Sequence, residues 1–183
     1  LFAFSGLWVW NVFAASLRFS VTSLTSNANL VSKVYFPREI LPLSTVIVSL
    51  VDFAVGATVL AGLMVWYGVT PGLHLLWLPL IVVVQVAFTV AVALTLAMGN
   101  LFYRDVRYLF EILIATWMFA TSVVYPVDRV GGALGVLLRL NPMTAIVDSY
   151  RAALLLNTPP PATLGVAALV AAGLAFASPA RAD

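Results

Sequence analysis

Leu73 to Met98 reads LHLLWLPLIVVVQVAFTVAVALTLAM, 26 residues without a charged side chain. At 1.5 Å per residue a helix of that length reaches about 39 Å, more than the roughly 30 Å hydrocarbon core of a bilayer. The rest of the chain is built alike: of 183 residues, 63% are apolar and 9% charged. An ordinary soluble domain carries about a quarter charged residues, so this chain lacks the polar material to cover itself against water. Four more apolar runs flank the first, roughly 1–17, 40–67, 108–127 and 162–178. The composition has room for about five or six crossings and for no soluble domain of any size. The expected fold is an all-α, polytopic transmembrane helix bundle, residues 1–178, with a short tail at 179–183.

Single counts exclude much chemistry. There is no cysteine and one histidine, His74, so a Cys/His zinc site, an iron–sulfur cluster, a disulfide framework and a catalytic thiol are all out of reach. No catalytic residue, metal ligand or cofactor is assigned. The lone lysine, Lys33, sits in V-S-K-V-Y rather than in a phosphate-binding G-x-x-x-x-G-K-[ST] loop, so nucleotide hydrolysis falls to another chain. A net charge of +2 is too small for nucleic acid.

Basic residues in short loops set orientation. Arg18, Lys33, Arg38, Arg104, Arg107 and Arg181 would share one face, which reads as cytoplasmic; the opposite face has the uncharged turn 68–72 and a longer loop bearing Arg129, Arg139 and Arg151. Five spans then put Leu1 outside and Asp183 inside. The apolar start, without Met or a basic leader, is expected to be the continuation of a longer chain. Trp66, Tyr67, Trp77 and Tyr125 fall at outer ends, and Phe102, Tyr103 and Tyr108 at inner ones, as interfacial anchors do.

Two connecting segments carry functional signals. In the stretch 18–39, Val21, Leu24, Ala28, Val31 and Tyr35 recur every three or four residues between polar ones, which draws a narrow apolar stripe on a helix that Pro37 ends. Such a helix either rests on the inner leaflet or docks in a partner's groove. On the outer side, 130–140 is apolar and half the length needed to cross, so it is interfacial or re-entrant. Asn141-Pro142 then reads as an N-cap followed by proline at the first helical position. Met143, Ile146, Val147, Tyr150 and Leu154 mark one face of the ensuing helix, with Asp148 and Arg151 spaced to pair on the other. These two short helices either close a pore from outside or pack on the bundle.

Within the spans, Asp52, Gln85 and Glu111 should each face the bundle interior, a water-filled path or another polar group. Glu111, near the inner boundary, is expected to pair with Arg104 or Arg107. Trp8, Trp10 and Phe13 cluster on the first run and Trp117 and Phe119 on the fourth; aromatic faces stack on sugar rings, although most aromatics in membrane helices are packing residues.

The run 5–11 (SGLWVWN), the block 27–42 (NANLVSKVYFPREILP), Asn100 to Arg107 (NLFYRDVR) and Asn141 through Arg151 (NPMT then DSYR) resemble, in the same order, the membrane subunit of ABC type-2 exporters for cell-surface polysaccharides such as O-antigen, capsule or teichoic acid. The resemblance covers about residues 1–160. It implies six transmembrane helices, of which five are present here, and a homodimer in the cytoplasmic membrane that pairs with two copies of a cytoplasmic ATPase. It places ATPase coupling on Val21, Leu24, Asn27, Asn29, Val31, Lys33, Tyr35, Arg38 and Glu39, and an external gate on Asn141, Pro142, Asp148, Tyr150 and Arg151. For a lipid-linked glycan substrate, Arg104 and Arg107 are candidates for the pyrophosphate, because Arg holds phosphate bidentately. Trp8, Trp10, Phe119 and Tyr125 are candidates for the glycan path. The rival readings are an ABC type-2 permease for small hydrophobic molecules or drugs and a non-transporting polytopic membrane enzyme or scaffold. An enzyme would want paired carboxylates at one interface, whereas Asp52, Glu111 and Asp148 lie at three depths.

Overall fold

A computed structural model describes residues 1–26, 40–70, 72–103, 105–123, 125 and 130–177. These form seven α-helices: α1 (Phe2–Ser26), α2 (Ile40–Trp66), α3 (Leu78–Phe102), α4 (Val106–Phe119), α5 (Gly132–Leu140), α6 (Pro142–Arg151) and α7 (Leu164–Ala177). A 3₁₀ turn, Leu73–Trp77, leads into α3, and a π turn, Ala152–Leu156, follows α6. Each of the five apolar runs contains a helix, and among the described residues no strand occurs.

Lengths differ from expectation. Ile40–Trp66 and Leu73–Phe102 are long and apolar enough to cross a membrane. The first run does not stop at Leu17: with no proline or glycine after Gly6, α1 continues to Ser26. Its hydroxyls bond back to the helix, Ser16 Oγ to Val12 O at 2.7 Å and Ser23 Oγ to Ser20 O at 2.7 Å, so polar side chains do not break it. The run expected at 108–127 is helical only through Phe119, and α7 is likewise 14 residues long. Each rises about 21 Å, less than a hydrocarbon core.

The helices alternate in direction. Trp8 meets Phe53 while Ser20 Oγ pairs with Thr45 Oγ1, so α2 runs antiparallel to α1. Gln85 reaches Val9 and Asn100 reaches Val21, so α3 runs parallel to α1. Trp117 packs on Trp10 and Phe13 while Arg18 meets Glu111, so α4 is again antiparallel. One end of the bundle thus gathers the C-termini of α1 and α3 and the N-termini of α2 and α4. The other gathers Phe2, the 120–123 turn, α5, α6 and the π turn.

The core is aromatic. Trp8 stacks on Phe53 with ring centroids 4.3 Å apart and meets Tyr150 edge-on at 5.7 Å. Phe13 stacks on Phe88 at 5.6 Å, with Trp117 edge-on to it at 5.5 Å. Gly56 makes the first cluster possible, since a Cβ there would overlap the Trp8 indole.

Candidate functional site

Among the described residues, polar side chains interrupt the apolar packing at each end and between. At the end bearing Arg18, that residue and Thr22 lie one turn apart on α1, facing Glu111 and Arg107, one turn apart on α4. Arg18 Nε donates to Glu111 Oε2 at 3.3 Å, with both side chains about half exposed. Phe110, buried, anchors α4 beside α1. Glu111 therefore pairs across to α1 and, among the described residues, not with Arg107, which is exposed; Arg104 lies outside the described residues.

In the middle, Gln85 of α3 is 4% exposed. Its Nε2 donates to Val9 O at 3.4 Å, and its Oε1 accepts from the Tyr150 hydroxyl at 2.6 Å. One amide so joins α1, α3 and α6, which satisfies its expected need for a polar partner. Asp52 behaves otherwise: it is exposed on α2 and does not face the interior of this bundle.

At the far end Asn141 and Arg151 organise two turns. Asn141 Oδ1 accepts from Met143 N at 3.1 Å, the predicted N-cap. The same oxygen accepts from Trp117 Nε1 at 3.1 Å, while Nδ2 donates to Ala120 O at 2.8 Å and Thr121 Oγ1 at 3.0 Å. The residue therefore caps α6 at its start and satisfies a carbonyl just past the end of α4. Arg151 pairs with Asp148 at 3.4 Å, as their spacing predicts, but its side chain is only 4% exposed. Its Nη1 donates to Ser122 O, and Nη2 donates to Val123 O at 2.7 Å and Phe2 O at 3.2 Å. The guanidinium lies 3.7 Å over the Phe2 ring, a cation–π contact. Ser122 Oγ holds Asp148 Oδ1 at 2.7 Å.

Several expectations change here. Val21 and Leu24, each 1% exposed, belong to α1 and pack in the bundle, so their side chains are not a docking surface. The other coupling candidates, Asn27, Asn29, Val31, Lys33, Tyr35, Arg38 and Glu39, lie outside the described residues. Trp8 and Trp10 are buried at 8% and 3%, and their rings pack against Phe53, Tyr150, Phe13 and Trp117. Phe119 is exposed, and the Tyr125 hydroxyl donates to Phe119 O at 2.5 Å. Met143 to Val147 and Ser149 to Arg151 are all buried, while the Asp148 side chain is 39% exposed, so α6 is a core helix whose arginine is turned against the 120–123 turn.

Sequence reasoning missed Gly6, Ser122 and Asn100. Asn100 Nδ2 donates to Val21 O at 2.8 Å and ties the ends of α1 and α3 together. The signal for it was a lone amide at the end of an apolar run, the same signal that marked Gln85. Gly6 and Ser122 carry no such signal, because their role exists only once Arg151 is packed between them.

The family model described as ABC-2 type transporter matches residues 1–155. The O-antigen export system permease protein RfbA of Myxococcus xanthus is 33% identical over 153 residues, 82% of this chain and 59% of that protein. A protein of the same name from Klebsiella pneumoniae is 32% identical over 152 residues, with the same shares covered. The chain thus spans a little under three-fifths of the length of these relatives.

Proposed function

The chain belongs to the ABC-2 type transporter family, and on that premise we propose that it is the permease part of an ATP-driven exporter of lipid-linked polysaccharide in the cytoplasmic membrane. The observation that carries the substrate class is the identity of about one-third to O-antigen export permeases across 82% of the chain. In this reading the chain performs no hydrolysis; two copies of a cytoplasmic ATPase supply the energy, and two copies of the permease enclose the path. The bundle sits with Arg18 and Arg107 inside and Arg151 outside, as the density of basic residues indicates. In this reading α2 and the helix led by Leu73, the two that are long and apolar enough, cross the bilayer.

The segment 27–39, with Lys33, Arg38 and Glu39, then follows α1 on the cytoplasmic side, where an ATPase docks. Movement there would travel along α1, whose far end is tied through Phe2 and Gly6 to Arg151 of the outer helices. The pyrophosphate would meet Arg104 and Arg107 on entry, and Phe119 and Tyr125 lie toward the outer end of α4, where a glycan leaves. The test is reconstitution with the cognate ATPase in proteoliposomes loaded with a lipid-linked glycan. ATP-dependent appearance of the glycan on the far leaflet supports the proposal. Transport of a hydrophobic dye without transport of the glycan would overturn it in favour of a small-molecule permease.

A further inference from the structure

We propose that Arg18 and Arg107 form a two-arginine clamp for the phosphate-bearing headgroup of a membrane amphiphile. The cleft between α1 and α4 that holds them has a volume of about 220 Å³. Glu111 engages Arg18 only through Nε, so among the described residues both Nη groups of Arg18 are without a partner. Arg107 has neither a hydrogen-bond nor an ion-pair partner among the described residues.

That arrangement is not the one helix stability would select. Arg107 and Glu111 stand four apart on α4, the spacing at which opposite charges pair along a helix. Glu111 instead reaches across to α1, holds Arg18 from behind and leaves two guanidinium forks on one cleft with a net charge of +1. A planar fork matches phosphate oxygens two at a time. The cleft also has an apolar side, with Phe19, 62% exposed, lining it together with Val21 and Phe110. A free anion has no use for such a flank, whereas a lipid chain does. That the amphiphile is the transported substrate rests on the permease reading above; the clamp itself rests on the side-chain geometry.

The test uses the full chain in nanodiscs. One arm titrates inorganic pyrophosphate into nanodiscs of phosphatidylcholine alone, and a second measures retention of phosphatidic acid over phosphatidylcholine. Wild type should retain phosphatidic acid, and R18Q and R107Q should each weaken retention about tenfold, the loss of one charge-assisted contact. E111Q, which raises the cleft to +2, should strengthen it. Both arginines are exposed at the bundle surface, so unchanged melting temperatures of R18Q and R107Q check that the fold persists. Saturable pyrophosphate binding without a preference for phosphatidic acid would overturn the amphiphile and make the ligand a free anion. Equal binding by wild type, R18Q and R107Q in both arms would overturn the clamp. A clamp that binds as expected in a protein that exports no glycan would overturn the permease reading and leave the clamp standing.

Discussion

The guanidinium of Arg151 fills the space that a side chain on Gly6 would need. A Cβ at Gly6 would overlap Nη2 of Arg151 and approach Val123 O to 2.7 Å. Backbone on two sides leaves the arginine nowhere to move. Gly6→Ala should therefore expel Arg151 or push α1 from the 120–123 turn, at a cost of about 1–3 kcal/mol for overpacking. A lower melting temperature of the purified protein in detergent checks this; an unchanged one would show that the turn yields freely.

Replacing Arg151 itself tests the other side of that contact. Arg151→Leu leaves Ser122 O and Val123 O without the guanidinium, whereas Phe2 O keeps the Ser5 hydroxyl, and each carbonyl left buried without a donor costs about 1–3 kcal/mol. Arg151→Lys keeps the charge but has no planar fork to span three carbonyls, so its loss should fall between wild type and Leu. Chemical denaturation of the three proteins side by side gives the order, and a Lys variant as stable as wild type would show that charge alone suffices.

Asn141 distinguishes one cap from two. As an N-cap alone, Asn and Asp are near equivalents, because only an acceptor for Met143 N is required. Asn141 also donates to Ala120 O and Thr121 Oγ1, and a carboxylate at that place would face a carbonyl oxygen. Asn141→Asp should then be destabilised by about 1–3 kcal/mol, close to Asn141→Ala. Stability of the Asp variant near wild type would confine the residue to the N-cap.

Tyr150 and Gln85 should be energetically coupled. Tyr150→Phe removes the hydroxyl that donates to Gln85 Oε1 and strands a buried acceptor. Gln85→Leu in the same protein removes the acceptor and recovers part of the loss. A double-mutant cycle should return an interaction of about 1–2 kcal/mol; additivity would mean that water takes the place of the hydroxyl.

Leu24→Asp should yield little folded protein, because Leu24 is 1% exposed and the carboxylate would enter the bundle unpaired. Lys33→Glu and Arg38→Glu should instead leave expression intact and reduce the ATPase that co-purifies. Wild-type amounts of folded Leu24→Asp would place that side chain outside the core.

Periodicity and charge were legible where one physical rule governed them. A long apolar run that crosses lipid must become a helix, since its backbone polar groups have to be satisfied within it, and α2 and α3 lie where that rule puts them. Asn141-Pro142 likewise announces a helix start from local backbone chemistry, and Asp148 and Arg151 announce a pair by their spacing. What local rules do not contain is depth. The stripe Val21 and Leu24 was apolar whether it faced a partner or its own bundle, and Trp8 and Trp10 offered rings equally suited to a sugar or to Phe53 and Phe13.

The sequence by itself determined an all-helical membrane protein, the positions of its main helices and the family to which it belongs, because composition and short motifs act within one or two turns. Only the tertiary structure decided that Arg18 turns to Glu111 while Arg107 stays open, that Trp8 and Trp10 are core, and that Arg151 is locked between Gly6 and the carbonyls of Ser122, Val123 and Phe2. Those outcomes join residues 28 to 149 positions apart. Their physical cause is the same in each case: a buried polar group takes whichever partner the packed helices bring within hydrogen-bond reach, and the linear order of the chain does not state which that is.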